Sequence, residues 1–389
     1  MPTITLTALL ASVILTLGCS HTPAVTTDDV QAHADRLARW QLAHMDDFSY
    51  IRTFRDHTAQ PEGWVQAAFY IGLNRWDNTG GNGRYRDALQ QKAQSNRWQL
   101  GPLYWHADDQ AIAQVYLAQL DSHTAAHQAQ QLAPTQAAFD KVLAYNADNT
   151  LEFIRDTTGQ AEGTCQRRWC WSDALFMAPP AWAALSRITQ DPQYLEYALR
   201  EFWATTDYLF DTTKHLYYRD SRFFERRSEY GNKIFWSRGN GWVFAGLPLL
   251  IEQLPETHPA RATLIAHYRK MAYAFKAIQT QEGLWAPSLL DHSNDPLPET
   301  SGSGFVVFGL AWGVNRGLLP SADFNTAIVS GWQAIDKRLT PEGWLGWVQQ
   351  VGYAPDKVHA DDTQLYGSGA YLLAASEMLD YAGGKAPVK

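Results

Sequence analysis

The sequence has few cysteines and lacks the usual signatures of metalloenzymes and serine hydrolases. It contains three cysteines in 389 residues, and only Cys165 and Cys170 lie beyond the N-terminal segment. Two cysteines without a matching pair of histidines make a poor zinc site. No H-E-x-x-H motif, EF-hand loop or G-x-S-x-G nucleophile elbow is present. The sequence therefore supports no metal and no other cofactor.

Long basic runs are also missing. Lysine and arginine number 32 against 40 aspartates and glutamates, which gives a net charge of −8. This balance argues against nucleic acid, or an anionic membrane surface, as the main partner. It does not exclude an anionic sugar, because a pocket needs only one or two local cations. The 16 tryptophans and 18 tyrosines suit the apolar face of a pyranose, although many of them are expected in the core.

The N-terminus is apolar, but this stretch is too short to span a membrane and ends in small residues, which predicts an export signal over residues 1–19. Leu17–Cys19 resembles a bacterial lipobox, although no lysine or arginine precedes it and Thr16 stands where leucine is usual. We expect an exported protein in the periplasm, or a lipoprotein anchored to the outer membrane through Cys19, with a tether over residues 20–29. In an oxidising compartment Cys165 and Cys170 could form a disulfide or stay as two free thiols.

Helical periodicity dominates the remaining chain, and the only segment with β character is Leu216–Arg219 with its charged sequel to Phe235. Helices are expected at about 30–45, 64–76, 85–98, 108–120, 134–145, 172–188, 192–210, 241–254, 259–280, 303–318, 325–339 and 364–381. Six consecutive pairs predict an all-α fold, an (α/α)6 barrel of six helical hairpins that forms one catalytic domain over residues 30–389. An open stack of helical repeats is the competing prediction, but no repeat of fixed period is present.

The stretch Trp169–Pro180 carries a single acid, Asp173, among aromatic and apolar residues. Burial against aromatic rings disfavours the charged form of a carboxyl group and raises its pKa, which suits a general acid. We therefore predict that Asp173 is the general acid/base of a carbohydrate-active enzyme. The alternative is that Ser172 or Asp173 merely caps the following helix.

Three further segments could contribute to a site. In Trp236–Trp242, tryptophan walls surround Arg238, which could hold a carboxylate, or the segment is an ordinary glycine turn. In His106–Gln110, Asp108 or Asp109 could assist Asp173, or both simply favour a helix start. In Glu299–Phe305, small residues that include Ser303 could bind an anion at a helix N-terminus, or form a cap.

The segments Asp-Ala-Leu-Phe-Met-Ala-Pro-Pro at 173–180, Trp-Ser-Arg-Gly-Asn-Gly-Trp at 236–242 and Glu-Thr-Ser-Gly-Ser-Gly-Phe at 299–305 together resemble glycoside hydrolase family 105. This family contains the unsaturated rhamnogalacturonyl and glucuronyl hydrolases and is related to family 88. The resemblance implies an (α/α)6 barrel. It also implies hydrolysis of lyase-generated oligosaccharides that end in a 4,5-unsaturated uronic acid.

The resemblance also implies residue roles. Asp173 would protonate C4 and activate the water that adds at C5, and the second active-site Asp falls near Asp109, with Asp108 as the alternative. Arg219 stands where several family members have histidine, so it could hold a uronate or mark a different subsite, and this departure puts a rhamnogalacturonan substrate in doubt. The expected substrate-binding residues are Trp64, His106, Asp108, Trp171, Arg219, Trp236, Arg238, Trp242 and Ser303.

Two other function classes stay open at this point. The same aromatic residues could form the platform of a non-catalytic glycan-binding lipoprotein. The barrel could also belong to another (α/α)6 enzyme, such as an ordinary glycosidase, a lyase or a sugar epimerase.

Overall fold

A computed structural model describes residues 25–120, 124–145, 150–153 and 165–384. The predicted export signal and Cys19 lie outside these residues. The described helices are α1 (Thr27–Ala43), α2 (Asp56–Ala59), α3 (Trp64–Asp77), α4 (Arg86–Ser95), α5 (Ala107–Gln110), α6 (Ala113–Ala118), α7 (Ala125–Ala144), α8 (Ala174–Met177), α9 (Pro179–Thr189), α10 (Pro192–Leu209), α11 (Ser237–Ile251), α12 (Ala260–Ala277), α13 (Thr300–Asn315), α14 (Ser321–Asp336) and α15 (Leu365–Ala382). Two short antiparallel strands, β1 (Phe210–Asp211) and β2 (Leu216–Tyr217), join α10 to a long loop.

The longer helices form two concentric rings. In the inner ring α3, α6, α9, α11, α13 and α15 contact one another in turn, and α15 packs against α3 to close the circle. Helices α1, α4, α7, α10, α12 and α14 lie outside, and each precedes an inner helix in the chain. The (α/α)6 barrel predicted from the six helix pairs is thereby confirmed.

The distribution of apolar residues explains which helices lie inside. Helix α13 is buried on all sides from Thr300 to Gly313, as expected for a helix surrounded by others. In the outer helix α12 the buried residues are confined to one stripe, which includes Leu264, Tyr268, Met271 and Phe275. Helices α3 and α15 approach closely because both carry glycine at the contact. A Cβ on Gly72 would lie 2.3 Å from the carbonyl oxygen of Gly369.

Some predicted helix bounds were wrong. Helix α7 begins at Ala125, so Pro134 lies within it instead of starting it. The helix expected over 172–188 is divided into α8 and α9 at Ala178. The break follows from Pro179, which has no N–H to continue the hydrogen-bond ladder and disfavours a helical residue before it. The helix expected over 108–120 is likewise divided into α5 and α6.

Charged side chains join the inner helices at their C-terminal ends. Arg75 of α3 donates to Glu252 at the end of α11 and to Glu377 of α15. Arg316, at the end of α13, donates to the same two carboxylates, at 2.6 and 3.0 Å. This ring of four charges closes one end of the barrel. Among the described helices, none is both long and apolar enough to cross a membrane.

Candidate active site

The N-termini of the inner helices lie at the opposite end of the barrel. Trp64, Ser237, Thr300 and Leu365 begin α3, α11, α13 and α15, while α5 and α8 contact each other beside them. A helix N-terminus carries a partial positive charge because its first N–H groups have no partner within the helix. This end of the barrel is therefore suited to an anionic ligand.

Asp173 lies immediately before α8, and its side chain makes no capping hydrogen bond. The Ser172 hydroxyl donates to its carboxylate at 3.1 Å, and Arg219 Nε lies 3.5 Å from the same oxygen, Oδ2. The residue is only 8% exposed. Its carboxylate therefore does not cap α8, and the alternative that Asp173 is merely a helix cap is wrong.

Asp108 is the acid coupled to Asp173. Its side chain is 26% exposed. Burial, and then the negative charge of Asp173, raise the pKa of Asp108 to about 7 against the opposing charge of Arg219. Two carboxyl groups that cannot both ionise easily are a typical arrangement for proton transfer.

Asp109, predicted as the second catalytic acid, points elsewhere. Its Oδ1 accepts a hydrogen bond from the backbone N–H of Leu103 at 3.4 Å, and its carbonyl accepts one from the N–H of Gly101 at 3.1 Å. Burial raises its pKa to about 6. The structure thus favours the alternative, Asp108, because its charge interacts with that of Asp173, whereas Asp109 bonds to the loop before α5. Successive helical residues point about 100° apart, so only one of two adjacent acids can face the barrel axis.

His106 lies next to Asp108 and helps to fix its backbone. Its Nδ1 accepts a hydrogen bond from the N–H of Asp108 at 3.2 Å and so caps α5. Burial lowers the pKa of His106 to about 4, so the ring is neutral at working pH with its proton on Nε2. The ring packs against Trp171, with centroids 4.9 Å apart. His106 and Trp171 therefore lie where they were predicted, beside the acids.

Arg219 supplies the local cation. It follows β2 and fixes the active-site loop, because its carbonyl accepts the N–H of Ser172 at 2.8 Å. Its Nη1 donates to Asp220 at 2.9 Å, while Nε has no hydrogen-bond partner among the described residues. The guanidinium is thus held beside Asp173 by its buried Nε edge, and the side chain remains 15% exposed.

Trp64 is the half-buried aromatic residue at this end of the barrel. Its ring stacks on Tyr366 at 5.4 Å and meets Trp242 edge-on. Because one part of the ring stays accessible, Trp64 can contact a sugar face.

Arg238 and Trp236 lie deeper than predicted. Arg238 is 1% exposed, its guanidinium lies between the rings of Trp236 and Tyr366, and it donates to the carbonyls of Gln349 and Gln350 at 2.6 and 3.0 Å. Trp236 donates to the side chain of Gln349 at 2.9 Å. The prediction that Arg238 faces a substrate carboxylate is corrected, since its terminal nitrogens fix the segment before α15.

Trp242 and Ser303 belong to the core. The Trp242 ring packs between Phe176 and Phe305, with centroids 4.7 and 4.3 Å away. The buried Ser303 hydroxyl donates to the Glu299 carbonyl at 2.6 Å and accepts the N–H of Trp285 at 3.0 Å. Neither side chain has surface left for a ligand, so both predictions as substrate-binding residues are corrected.

The Glu299 side chain caps α13 by accepting the N–H groups of Ser301 and Gly302. The segment that carries Ser303 is therefore a helix cap, as its structural alternative stated. No group of three His, Cys, Asp or Glu side chains in the described residues is arranged to hold a metal ion.

Comparison with known proteins identifies the family. The model of Glycosyl Hydrolase Family 88 matches residues 33–382. The chain belongs to this family. An unsaturated 3S-rhamnoglycuronyl hydrolase from Alteromonas sp. (strain LOR) is 45% identical over 352 residues, which are 88% of this chain and 84% of the relative.

Two solved structures resemble this family 88 hydrolase over most of its length. A glycosyl hydrolase family 88 protein from Bacteroides vulgatus is 26% identical, with a TM-score of 0.77 and coverage of 92% of this chain and 100% of that one. A protein described as a polysaccharide lyase has the same identity and TM-score, with coverage of 92% and 99%. The predicted resemblance to families 105 and 88 is confirmed, and so is the assignment as a glycoside hydrolase.

The family 88 hydrolase has a disulfide next to the site. Cys165 and Cys170 are bonded, with their Cα atoms 5.6 Å apart, which decides between the two states left open by the sequence. The bridge closes the turn that leads through Trp171 to Asp173. It therefore restrains the backbone of the active-site loop.

Sequence reasoning missed four residues next to Arg219. Asp220 is fully buried and binds both Arg219 and Arg222, while the Arg222 guanidinium lies over the rings of Phe153 and Tyr353, at 3.9 and 5.1 Å from their centroids. The sequence did show that the loop after β2 is rich in charged residues. It could not show that this loop lies next to Asp173. Phe153 and Tyr353 carry no motif and are brought there by the fold.

Proposed function

We propose that this hydrolase removes a 4,5-unsaturated uronic acid from the non-reducing end of lyase-generated oligosaccharides, with unsaturated rhamnoglycuronyl compounds as the substrate class. The observation that carries the proposal is the acid pair: Asp173 is free of any capping role and lies against Arg219, with Asp108 coupled to it. The relative from Alteromonas, named for an unsaturated 3S-rhamnoglycuronyl substrate, supports the substrate class.

The reaction proceeds by hydration of the enol ether. The acid pair shares one proton, and Asp173 donates this proton to C4 of the unsaturated ring; the Asp173 carboxylate then accepts a proton from the water that bonds to C5. The resulting hemiketal at C5 collapses to a ketone, which opens the ring. The hemiacetal left at C1 then collapses to an aldehyde and releases the hydroxyl group of the neighbouring sugar. One water is consumed, and Asp173 ends in its starting protonation state.

The neighbours of Asp173 have complementary roles in this scheme. With a pKa of about 7, Asp108 holds the proton of the pair over much of the acidic and neutral range, so it can supply that proton to Asp173, which an Asn side chain could not do. Arg219, whose side chain is 15% exposed, is placed to bind the uronate carboxylate with the part of its guanidinium that stays accessible. The N-termini of the inner helices add to the attraction for this anion.

The decisive test follows the ultraviolet absorbance of the C4=C5 bond in unsaturated disaccharides. A hydrolase of this kind erases the absorbance, whereas a polysaccharide lyase creates it from intact polymer, so the two enzyme classes give signals of opposite sign. A glycan-binding protein without activity would change neither. The proposal fails if wild type leaves the absorbance of every unsaturated disaccharide unchanged.

Two matched variants test the assignment of the acids. Asp173→Asn and Asp108→Asn are expected to lower kcat by about 10²- to 10⁴-fold. Asp109→Asn makes the same chemical change one residue away and is expected to keep most of the activity. Full activity in Asp173→Asn, or equal losses in Asp108→Asn and Asp109→Asn, would contradict these roles.

We further propose that the protein is exported and anchored by a lipid on Cys19. The Cys165–Cys170 disulfide supports export, because disulfides persist mainly in oxidising compartments. Fractionation of cells that produce wild type and Cys19→Ala tests the anchor. We expect wild type in the membrane fraction and the variant outside it, and the same distribution for both would exclude lipid anchoring at this residue.

A further inference from the structure

A group of aromatic residues with no part in the proposed reaction lies beside α1, on the outside of the barrel. Three aromatic and three polar residues line a cavity of about 220 Å³ there: Trp40, Tyr50, Arg52, Trp344, Asp361 and Thr363. Trp40 is near the end of α1, and Trp344 belongs to the loop that joins α14 to α15. The fold thus brings aromatic rings from distant parts of the chain to one cavity.

Helix α15 separates this cavity from the active-site cleft. On one side of the helix Tyr366 stacks on Trp64, the aromatic residue of the cleft. Two residues later the Ser368 hydroxyl donates to Gln41 of α1 at 2.9 Å, and Gln41 donates to the Tyr50 hydroxyl at 2.8 Å. Residues two apart on a helix point about 200° away from each other. The cavity beside Tyr50 and the cleft beside Trp64 therefore lie on opposite sides of α15.

Close packing of the loop before α15 against α1 places Trp344 at the cavity. Gly343 has a φ of +116°, and a Cβ there would lie 2.8 Å from the carbonyl oxygen of Arg36 and 2.9 Å from Cβ of Trp40. Glycine therefore allows an approach that a side chain would prevent. The turn is fixed further because the N–H of Trp344 donates to the Thr340 hydroxyl at 3.3 Å. The backbone thus holds Trp344 next to Trp40.

The two tryptophans offer both apolar surface and hydrogen-bond donors. The Trp40 ring stacks on His44 and meets Tyr50 edge-on, with centroids 4.1 and 4.9 Å apart. Trp40 and Trp344 are half-buried, and among the described residues neither indole N–H has a hydrogen-bond partner or is shielded from solvent. A half-buried indole with an available N–H matches a pyranose, which has an apolar C–H face and hydroxyl groups at its rim.

The charged residues of the cavity favour an uncharged ligand. Arg52 Nε donates to the buried Asp362 at 2.7 Å, and Nη2 lies 2.7 Å from the same oxygen. The charge of Arg52 is therefore balanced, and the exposed Asp361 leaves the cavity with a negative excess. This excess disfavours an anionic sugar, in contrast to the cleft, whereas Arg52 and Asp361 can donate to and accept from hydroxyl groups.

The size of the cavity limits the ligand to one sugar ring. Pockets that enclose drug-sized molecules begin at about 300 Å³. This cavity is smaller, at about 220 Å³. It therefore suits one monosaccharide unit of a glycan, with the neighbouring units outside.

We propose that Trp40, Tyr50 and Trp344 form a second glycan-binding site, which takes one uncharged pyranose unit. The site binds without the acid pair, so this function goes beyond hydrolysis. Attachment of the enzyme to a glycan through this site raises the local concentration of the chain ends that reach the cleft.

Saturation-transfer difference NMR tests the site, because it detects binding at a Kd of about 1 mM, the scale expected for a single sugar ring. The probes are the methyl glycosides of glucose, galactose, xylose and rhamnose, with methyl glucuronide as the anionic counterpart. Wild type is expected to bind at least one of the neutral glycosides. Trp344→Ala should weaken that binding about tenfold, because it removes the ring face and the N–H donor together.

Three control measurements accompany this variant. Trp344→Phe keeps an apolar ring without the N–H and most of the loop packing, and it should weaken binding about threefold. Trp64→Ala removes the aromatic face of the cleft and should leave the binding of neutral glycosides unchanged. Trp344→Ala should hydrolyse an unsaturated disaccharide with a kcat/KM within about twofold of wild type, because the two sites are separate. This activity also shows that the variant is folded.

The outcomes separate this inference from the proposed function. The site is overturned if wild type binds no neutral glycoside at concentrations well above the expected Kd, if both Trp344 variants bind as wild type does, or if Trp64→Ala abolishes the binding. An equal loss of methyl glucuronide binding in Trp344→Ala would overturn the choice of an uncharged ligand. Wild type that binds neutral glycosides but hydrolyses no unsaturated disaccharide would refute the proposed function and leave the site intact.

Discussion

Replacing Asp108 by Asn is expected to stabilise the fold as pH rises, although it removes activity. Burial, and then the charge of Asp173, raises the pKa of Asp108 from 3.8 to about 7. Between these values the native state keeps a proton that the unfolded chain has released, so the stability of wild type falls as pH increases through this window. Because Asn does not titrate, the stability of the variant does not fall through this pH window.

The size of the effect follows from the shift. About three pH units at about 1.36 kcal/mol each give a ceiling of about 4 kcal/mol at pH 8. The side chain is 26% exposed, and water reduces the cost of ionisation. We therefore expect the variant to gain about 1–2 kcal/mol at pH 8 and little at pH 4, where Asp108 is protonated in the native state and about half protonated in the unfolded chain.

Thermal unfolding followed by circular dichroism at several values between pH 4 and pH 8, at constant ionic strength, measures this gain. The Tm values of wild type and Asp108→Asn should coincide at pH 4 and separate by about 2 °C or more at pH 8. The exposed Asp361 offers a matched control, since Asp361→Asn should show no such trend. A Tm difference that is the same at every pH, or a variant less stable than wild type at pH 8, would refute the electrostatic account of the acid pair.

Three further changes probe other parts of the molecule. Glu377→Leu leaves Arg75 and Arg316 with one shared carboxylate, Glu252, so urea unfolding should show a loss of about 2 kcal/mol, and an unchanged value would mean that Glu377 adds nothing to the charge ring. Cys170→Ser should lower the free energy of unfolding by about 2 kcal/mol, and dithiothreitol should lower the Tm of wild type but not of the variant; an equal response of both would contradict a structural disulfide. Trp64→Ala should raise KM for an unsaturated disaccharide about 3- to 10-fold with little change in kcat, whereas an unchanged KM would exclude a sugar contact.

The fold was predictable because the spacing of apolar residues indicates the helices, and the order of the helices along the chain indicates their pairing. Helices with apolar residues on all sides had to be inner ones, and those with a single stripe had to be outer ones. The bounds were less predictable near proline. Pro134 lies inside α7, where the predicted helix started, whereas Pro179 breaks a helix that the apolar pattern continues. Tertiary packing decides between these outcomes, and the local sequence does not contain it.

The site was predictable in its central residue and less so in its surroundings. Asp173 was identifiable because it is the single acid in an apolar segment. Asp108 and Asp109 could not be separated, because their orientation depends on where α5 begins, and the His106 cap determines that. Arg238 was assigned a ligand because the sequence shows an arginine between tryptophans. It does not show that the carbonyls of Gln349 and Gln350, more than a hundred residues away, already occupy the guanidinium.

Helix direction explains why the acids and the cleft share one end of the barrel. The inner helices are parallel, so their positive ends meet at Asp173 and Asp108, and their negative ends meet at Arg75 and Arg316. An anionic substrate is attracted to the first end by the backbone itself, before any side chain contributes. At the second end Arg75 and Arg316 are paired with Glu252 and Glu377, so these four charges balance one another. The direction of the inner helices thus favours binding of an anion at one end of the barrel. The loops at that end, which include Arg219 beside Asp173, are placed to determine which substrate binds.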